Sequence, residues 1–296
     1  MKLALGTVQF GQSYGVANKV GQVSAAEAKA ILEYAASNGI KMLDTAIGYG
    51  ESEQRLGEIG IPDWQVVSKI PAVPDGCGDI SGWVSESVRS SLQRLGVQRL
   101  YALLLHRPLQ LLGADGGRIY AALQQLKENG LVQKIGVSIY APVELDDLYQ
   151  RYKFDVVQAP FNLLDRRLID SGWMSRIADR GVELHVRSIF LQGLLLMPPH
   201  ERPVKFNRWQ ALWSAYSGWL RAANLTPLQA CVRYSLSFPE ISRVIVGVDT
   251  IHQLQDIVDS QDGVAVNVPK SFYTSELDLL EPIRWSDLCR SETENA

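Results

Sequence analysis

The amino-acid sequence predicts an α/β fold, a (β/α)8 or TIM barrel. Three observations carry this reading. Apolar, β-rich runs alternate with helical periodicity along nearly the whole chain, eight such pairs can be counted, and they occupy about 250 residues. Strand-helix alternation returns each strand parallel to the last, and eight units is the number that closes a barrel. A doubly wound open sheet is the alternative for the same alternation.

The strands are expected at Leu3–Gly6, Lys41–Ala46, Gln65–Ile70, Leu100–His106, Lys134–Ile139, Val156–Phe161, Glu183–Ile189 and Arg243–Val248. Helices are expected to begin near Ala25, Glu51, Ile80, Gly117, Pro142, Leu168, Thr226 and Ile251. Pro142 suits a first helical position, where its missing N–H costs nothing. Gly39, Gly96, Gly130 and Gly181 stand just past helix ends, where a left-handed residue closes the last turn.

Two stretches interrupt the alternation. Residues 191–225 form an insertion after the seventh strand, in which Trp209, Trp213 and Tyr216 recur at helical spacing. That stripe reads as the packing face of an accessory helix, with a lid over a pocket as the alternative. Residues 264–296 form a C-terminal loop and tail without strong period, its end Ser291–Ala296 expected to be disordered. The chain is read as one barrel domain over 1–296.

The 296 residues set 29 Lys and Arg against 32 Asp and Glu, a balance that gives no support to a nucleic-acid or anionic-membrane partner. No run reaches the roughly 18 apolar residues of a membrane span, and the N-terminus lacks the pattern of a signal peptide. Cys77, Cys231 and Cys289 are scattered, and the four histidines show no metal-ligand spacing, so no metal site is expected. These features imply a cytoplasmic protein, monomeric or homo-oligomeric, acting on small molecules.

Asp44, Lys69 and His106 close the second, third and fourth strands, and Tyr49 stands in the loop after the second. In a (β/α)8 barrel all four converge at the C-terminal mouth, where active sites are built. Each alone has a plain structural explanation: a solvated rim lysine, a turn-forming aspartate, a packing tyrosine, a histidine bonding the next loop. Joint placement favours one shared site for proton transfer over four coincidences.

Asp44-Thr-Ala-Ile-Gly-Tyr-Gly, Val67-Ser-Lys69 and Leu104-Leu-His106-Arg-Pro resemble the aldo-keto reductase superfamily. Ile135-Gly-Val-Ser138, the segment Val157–Arg166 and Val246–Leu254 extend the likeness over nearly the whole barrel. The resemblance implies reduction of an aldehyde or ketone with a nicotinamide cofactor, with Tyr49 as proton donor, Lys69 and Asp44 tuning it and His106 orienting the carbonyl. The physics is consistent: a phenol, ordinarily near pKa 10, gives up its proton more readily beside an ammonium, and a desolvated ammonium needs a carboxylate. No Gly-x-Gly-x-x-Gly follows a strand, so a Rossmann site is unsupported.

By the same resemblance Gly6, Thr7, Ser138, Gln158, Arg187, Ser188, Phe190, Leu191, Gly193, Gly247, Asp249, Thr250 and Gln253 would hold the cofactor. Ser138 and Gln158 would take the carboxamide, the segment 188–194 the pyrophosphate and 247–253 the adenosine end. Phe10, Tyr14, Arg107 and Trp285 are expected to wall the substrate pocket, from their loop positions. The segment from Ser188 to Leu195 is similar to bacterial reductases of carbohydrate pathways, which implies a sugar-derived substrate.

The chain departs from the family pattern at three places. Ile139 replaces an asparagine that would contact the carboxamide. Arg187 replaces an aromatic that stacks on the nicotinamide, and its charge disfavours the cationic oxidised ring, a bias toward reduction. Asp249 stands where relatives bind the 2′-phosphate of NADP, with Lys205 or Arg208 as compensating cations. NADPH is expected on family grounds, with NADH possible. Two other functions remain open on the residues alone: a Schiff-base aldolase using Lys69, and a non-catalytic NADPH-binding subunit that senses redox state.

Overall fold

A computed structural model describes residues 1–264 and 266–286. Eight parallel strands, β1 (Leu3–Gly6), β2 (Met42–Asp44), β3 (Gln65–Ile70), β4 (Leu100–Leu105), β5 (Val132–Ser138), β6 (Val156–Pro160), β7 (Glu183–Arg187) and β8 (Ile241–Gly247), pair in chain order. β8 pairs back onto β1 through Leu3 with Val244 and Leu5 with Val246, closing the barrel. Every strand boundary lies within two residues of the expected one: β5 and β8 begin two residues early, β2 begins one late, and all strands but β1 and β3 end one or two residues sooner.

Alternation along each strand divides its side chains between the interior and the helices. Ala4, Met42, Val67, Ala102, Leu104, Val156 and Ile245 fill the barrel's interior. Their neighbours Leu3, Leu5, Leu43, Val66, Leu103, Leu105 and Val157 belong to the larger core beneath the helices. Two residues beyond the interior set, the same parity aims Asp44, Lys69, His106 and Gln158 inward at the C-terminal end.

The expected helix signals act at most positions. Ser24 caps the helix Ala25–Ser37, Asp79 caps Ile80–Leu95, and Thr226 with Gln229 forms a capping box on Pro227–Leu236. Gly39, Gly96, Gly130 and Gly181 all have positive φ. Pro142 is not helical: the helix begins at Glu144, whose carboxylate accepts the backbone N–H groups of Tyr140 and Ala141 and places the turn before it. The sixth helical segment is split into Arg167–Asp170 and Trp173–Ala178, because Gly172 adopts a left-handed conformation between them.

The accessory helix of the insertion is Gln210–Ala222, with Trp213 and Tyr216 buried in the core and Trp209 buried just before it. The indole of Trp213 donates to the Phe206 carbonyl, and that of Trp209 to Glu276 in the tail. The stripe is packing, as its period indicates. Arg167 holds the tail to the barrel mouth by bonding Asp165 and Glu281. Cys289 and the segment 291–296 lie outside the described residues.

At the N-terminal end the barrel is closed by a polar cluster. Glu183 accepts from Tyr101, Lys134 and His185, with Lys134 also donating to the Tyr101 hydroxyl. Burial works against the Glu183 charge, but these donors outweigh it and hold its pKa at about 2 against an ordinary 4.5. The stabilisation is therefore complete above the ordinary value and is lost as pH falls through about 2. Denaturant titrations of wild type and Glu183→Gln should differ by a constant amount between about pH 5 and 7 and converge toward acid; a pH-independent difference would contradict this.

Candidate active site

The centre of the site is a nearly dry ion pair. Lys69 Nζ donates to Asp44 Oδ2 at 2.6 Å, with side-chain exposures of 1% and 7%. Lys69 also donates to the Thr45 carbonyl at 2.9 Å, and Gln158 Nε2 donates to the other carboxylate oxygen of Asp44 at 2.7 Å. Ser138 Oγ in turn donates to Gln158 Oε1 at 3.0 Å. Burial lowers the Lys69 pKa, but Asp44 and the nearby Tyr49 more than reverse this and raise it. Lys69 is an ammonium at any physiological pH.

Tyr49 lies over this pair, its ring centroid 5.0 Å from Lys69 Nζ. The loop that carries it is fixed by backbone contact with residues 8–11. A Cβ on Gly11 would stand 1.8 Å from the Tyr49 carbonyl oxygen, and one on Gly50, which has φ +55°, would stand 2.4 Å from the Gly11 oxygen. Only glycine at both places lets the two segments meet. Ser52 completes the junction by donating to the Thr7 carbonyl and hydroxyl oxygens.

His106 follows β4 directly, its backbone N–H donating to the Ile70 carbonyl. Its ring meets that of Tyr49 edge-on, with centroids 5.9 Å apart. Burial and the charges of Lys69, Arg187 and Arg107 depress its pKa to about 4, with Asp44 opposing. The imidazole is neutral above that value and offers one N–H as a donor.

Asp44, Tyr49 and His106 border a cleft of about 940 Å³, near the upper end of the size range of small-molecule sites. Of the residues assigned to the cofactor, Gly6, Thr7, Arg187, Ser188, Phe190, Gly193, Gly247, Asp249 and Gln253 line it. Tyr14 does too, its hydroxyl accepting from Gln192. Lys69, Ser138 and Gln158 are buried beneath the wall.

Five further expected residues do not line the cleft either. Leu191 and Phe10 are fully buried in the core. Thr250 uses its hydroxyl to accept from the Gln253 N–H, capping the helix Ile251–Asp259. Trp285 packs edge-on against Phe206 and donates to the Leu279 carbonyl, so the tail presents Leu280, Glu281, Pro282 and Ile283 to the cleft instead. Arg107 is exposed at the rim, 5.6 Å from the Tyr140 ring. Lys205 donates to the Trp285 carbonyl and Arg208 pairs with Asp278, so neither compensates Asp249. Asp249 instead accepts from Asn18.

The wall suits an extended dinucleotide. Gln9 Oε1 is buried there without a hydrogen-bond partner, beside Gly247. Ser188, Leu191, Gln192 and Gly193 all have positive φ, in a tight turn where the N–H groups of Leu191 and Gly193 donate to the Ser188 and Phe190 carbonyls. Gln9, Asn18 and Tyr140 were not singled out by sequence reasoning, because none belongs to a motif and only tertiary contact brings them to the cleft. Gly11 and Gly50 carried a weaker signal, the latter inside the Gly-Tyr-Gly run.

The chain is similar to known proteins over most of its length. The family model described as the aldo/keto reductase family matches residues 2–265. An aldo-keto reductase of Mycolicibacterium vanbaalenii is 26% identical over 228 residues, covering 75% of this chain and 74% of that protein. An NADH-specific methylglyoxal reductase of Escherichia coli is 28% identical over 178 residues, about half of each chain at 53% and 54%. The solved aldo-keto reductase of Bacillus halodurans in its holo form superposes with a TM-score of 0.72 at 20% identity over 96% of this chain and 95% of that one, a likeness of fold.

Breaking the buried pair from one side leaves an uncompensated charge. Lys69→Met should cost about 3–5 kcal/mol, and the double variant Lys69→Met/Asp44→Asn should regain much of it. Urea unfolding checks this; a double variant no more stable than the single would show that the pair's charges do not set the cost.

Proposed function

The chain belongs to the aldo/keto reductase family, nicotinamide-dependent oxidoreductases of carbonyl compounds, and from that premise we propose that it reduces a sugar-derived aldehyde or ketone to the alcohol, with Tyr49 as general acid. The observation that carries the residue assignment is the convergence of Tyr49, the Lys69–Asp44 pair and neutral His106 on one end of the cleft. When bound, the nicotinamide cofactor supplies the hydride.

Negative charge grows on the carbonyl oxygen as the carbon is reduced, and the chain's own groups meet it there. Tyr49 gives that oxygen its proton, and Lys69 stabilises the phenolate left behind. His106, uncharged, donates an N–H to the same oxygen and orients the carbonyl without competing as an acid. Asp44 keeps Lys69 charged, and Gln158 and Ser138 fix the orientation of Asp44. Removal of water from this end strengthens each of these interactions. The charge of Arg187 on the cleft wall favours the neutral reduced ring over the cationic oxidised one, and so reduction over oxidation.

Gly6, Thr7, Ser188–Phe190, Gln192, Gly193, Gly247, Asp249 and Gln253 would hold the cofactor. The resemblance alone favours NADPH. Asp249 favours NADH, because a carboxylate repels a 2′-phosphate and accepts from ribose hydroxyls, and neither Lys205 nor Arg208 is placed to offset it. We therefore place NADH first. A Schiff-base role for Lys69 is disfavoured, since a buried, paired ammonium with a raised pKa is neither accessible nor nucleophilic.

Oxidation of NADH and NADPH should be screened against sugar aldehydes, keto sugars and aromatic aldehydes. Tyr49→Phe should lose about 100-fold or more of turnover while binding cofactor nearly as wild type; loss of both together would make Tyr49 a structural residue. For the cofactor, kcat/KM should be higher with NADH, and Asp249→Asn should shift the ratio toward NADPH by about tenfold. An unchanged ratio would remove Asp249 from cofactor choice.

A further inference from the structure

Among the described residues, the reacting end of the cleft carries more positive charge than its own carboxylates offset: Lys69, Arg187 and Arg107 all act on the His106 ring, and of the three Lys69 alone has an anionic partner there, Asp44. Among the described residues neither arginine makes an ion pair. Arg187 is half-buried and its guanidinium is held by neutral groups, donating to the Ile139 carbonyl at 3.0 Å and the Ser188 hydroxyl at 3.3 Å. Arg107 is exposed at the rim. The two guanidiniums share one aromatic neighbour, standing 5.0 and 5.6 Å from the centre of the Tyr140 ring, which lines the cleft with Tyr49 and His106.

The other carboxylates of the wall do not answer this charge. Glu281 is taken by Arg167 and Arg284, and Glu201 by Lys19. Asp249 is bonded to Asn18, and Asp256 belongs with it to the β8 side, on the helix after that strand. The excess is therefore local to the end where the carbonyl reacts.

We propose that the preferred substrate carries an anionic group, a carboxylate or a phosphate, close to its carbonyl, and that Arg187 and Arg107 bind it beside Tyr140. Planar guanidiniums match both groups through paired N–H donors. Arg187, fixed by the Ile139 carbonyl, supplies a preorganised fork, and Arg107 at the rim draws the anion in. Uncharged carbonyl compounds gain nothing from either. This rests on the carbonyl-reductase reading of the cleft and narrows its substrate class.

The test compares matched substrates with the full chain and either cofactor: para-carboxybenzaldehyde against its methyl ester, and glyceraldehyde phosphate against glyceraldehyde. The anionic member of at least one pair should have a kcat/KM higher by about tenfold or more, mostly through KM, and the advantage should shrink with added salt. The pair that responds identifies carboxylate or phosphate. Arg107→Gln and Arg187→Gln should each reduce the preference by about tenfold, with lysine at either position restoring part of it. The proposal is overturned if the uncharged members are used equally well by wild type, if both glutamine variants keep the preference, or if they weaken cofactor binding as much as they weaken the preference.

Calorimetric titration of wild type with para-hydroxymethylbenzoate and with its methyl ester reads anion recognition without turnover. Tighter binding of the carboxylate in a chain that reduces no carbonyl would refute the reductase reading and leave the anion site standing. Turnover without an anionic preference would do the reverse. The wild-type comparisons decide the matter even if a variant fails to fold.

Discussion

Lys69 and Asp44 face each other almost out of reach of water, and the site is arranged around making that pair tolerable. Two buried charges lose their hydration, a loss their mutual attraction recovers only when every remaining donor and acceptor is also satisfied. Here both oxygens of Asp44 are used, one by Lys69 and one by Gln158, while Lys69 also reaches the Thr45 carbonyl. What Lys69 has left is directed at the Tyr49 side of the cleft. A charge that is fixed, dry and aimed acts on its neighbour far more strongly than one in solvent. His106 is driven to its neutral form by burial first and then by the charges of Lys69, Arg187 and Arg107, so this end of the cleft sets an uncharged imidazole beside Tyr49 and the Lys69 ammonium.

The barrel and the parity of its strands were legible because both follow from local chemistry. Each strand is a short apolar run, and its alternation decides which residues share the interior. Once Met42 and Val67 are inside, Asp44 and Lys69 must be inside too, two residues further along. The helix stops at Gly39, Gly96, Gly130 and Gly181 were legible for a similar reason, a left-handed residue being required at each.

What sequence could not supply was contact between distant segments. Phe10 and Trp285 look like pocket aromatics by position, yet both are buried in the core, because an indole with a carbonyl to bond and a ring to meet is more stable inside than on a wall. Thr250 looks like a ligand, yet its hydroxyl is used by the helix it begins. Gly11 is decisive for Tyr49 through a carbonyl 38 residues away in the chain, a proximity that only the closed barrel creates. That Arg187 meets neutral partners and that neither it nor Arg107 makes an ion pair among the described residues is likewise a property of the assembled mouth, and no short motif encodes it.

The interior of the barrel has two polar poles, the Glu183–Lys134–Tyr101 cluster at one end and the Lys69–Asp44 pair at the other. Between them lies a floor of Ala4, Met42, Val67, Ala102, Leu104, Val156 and Ile245. That floor divides labour: the lower pole answers for holding the cylinder together, and the upper is free to be remodelled by drift in the loops. A lineage on this scaffold could thus exchange one carbonyl compound for another without renegotiating its foundations.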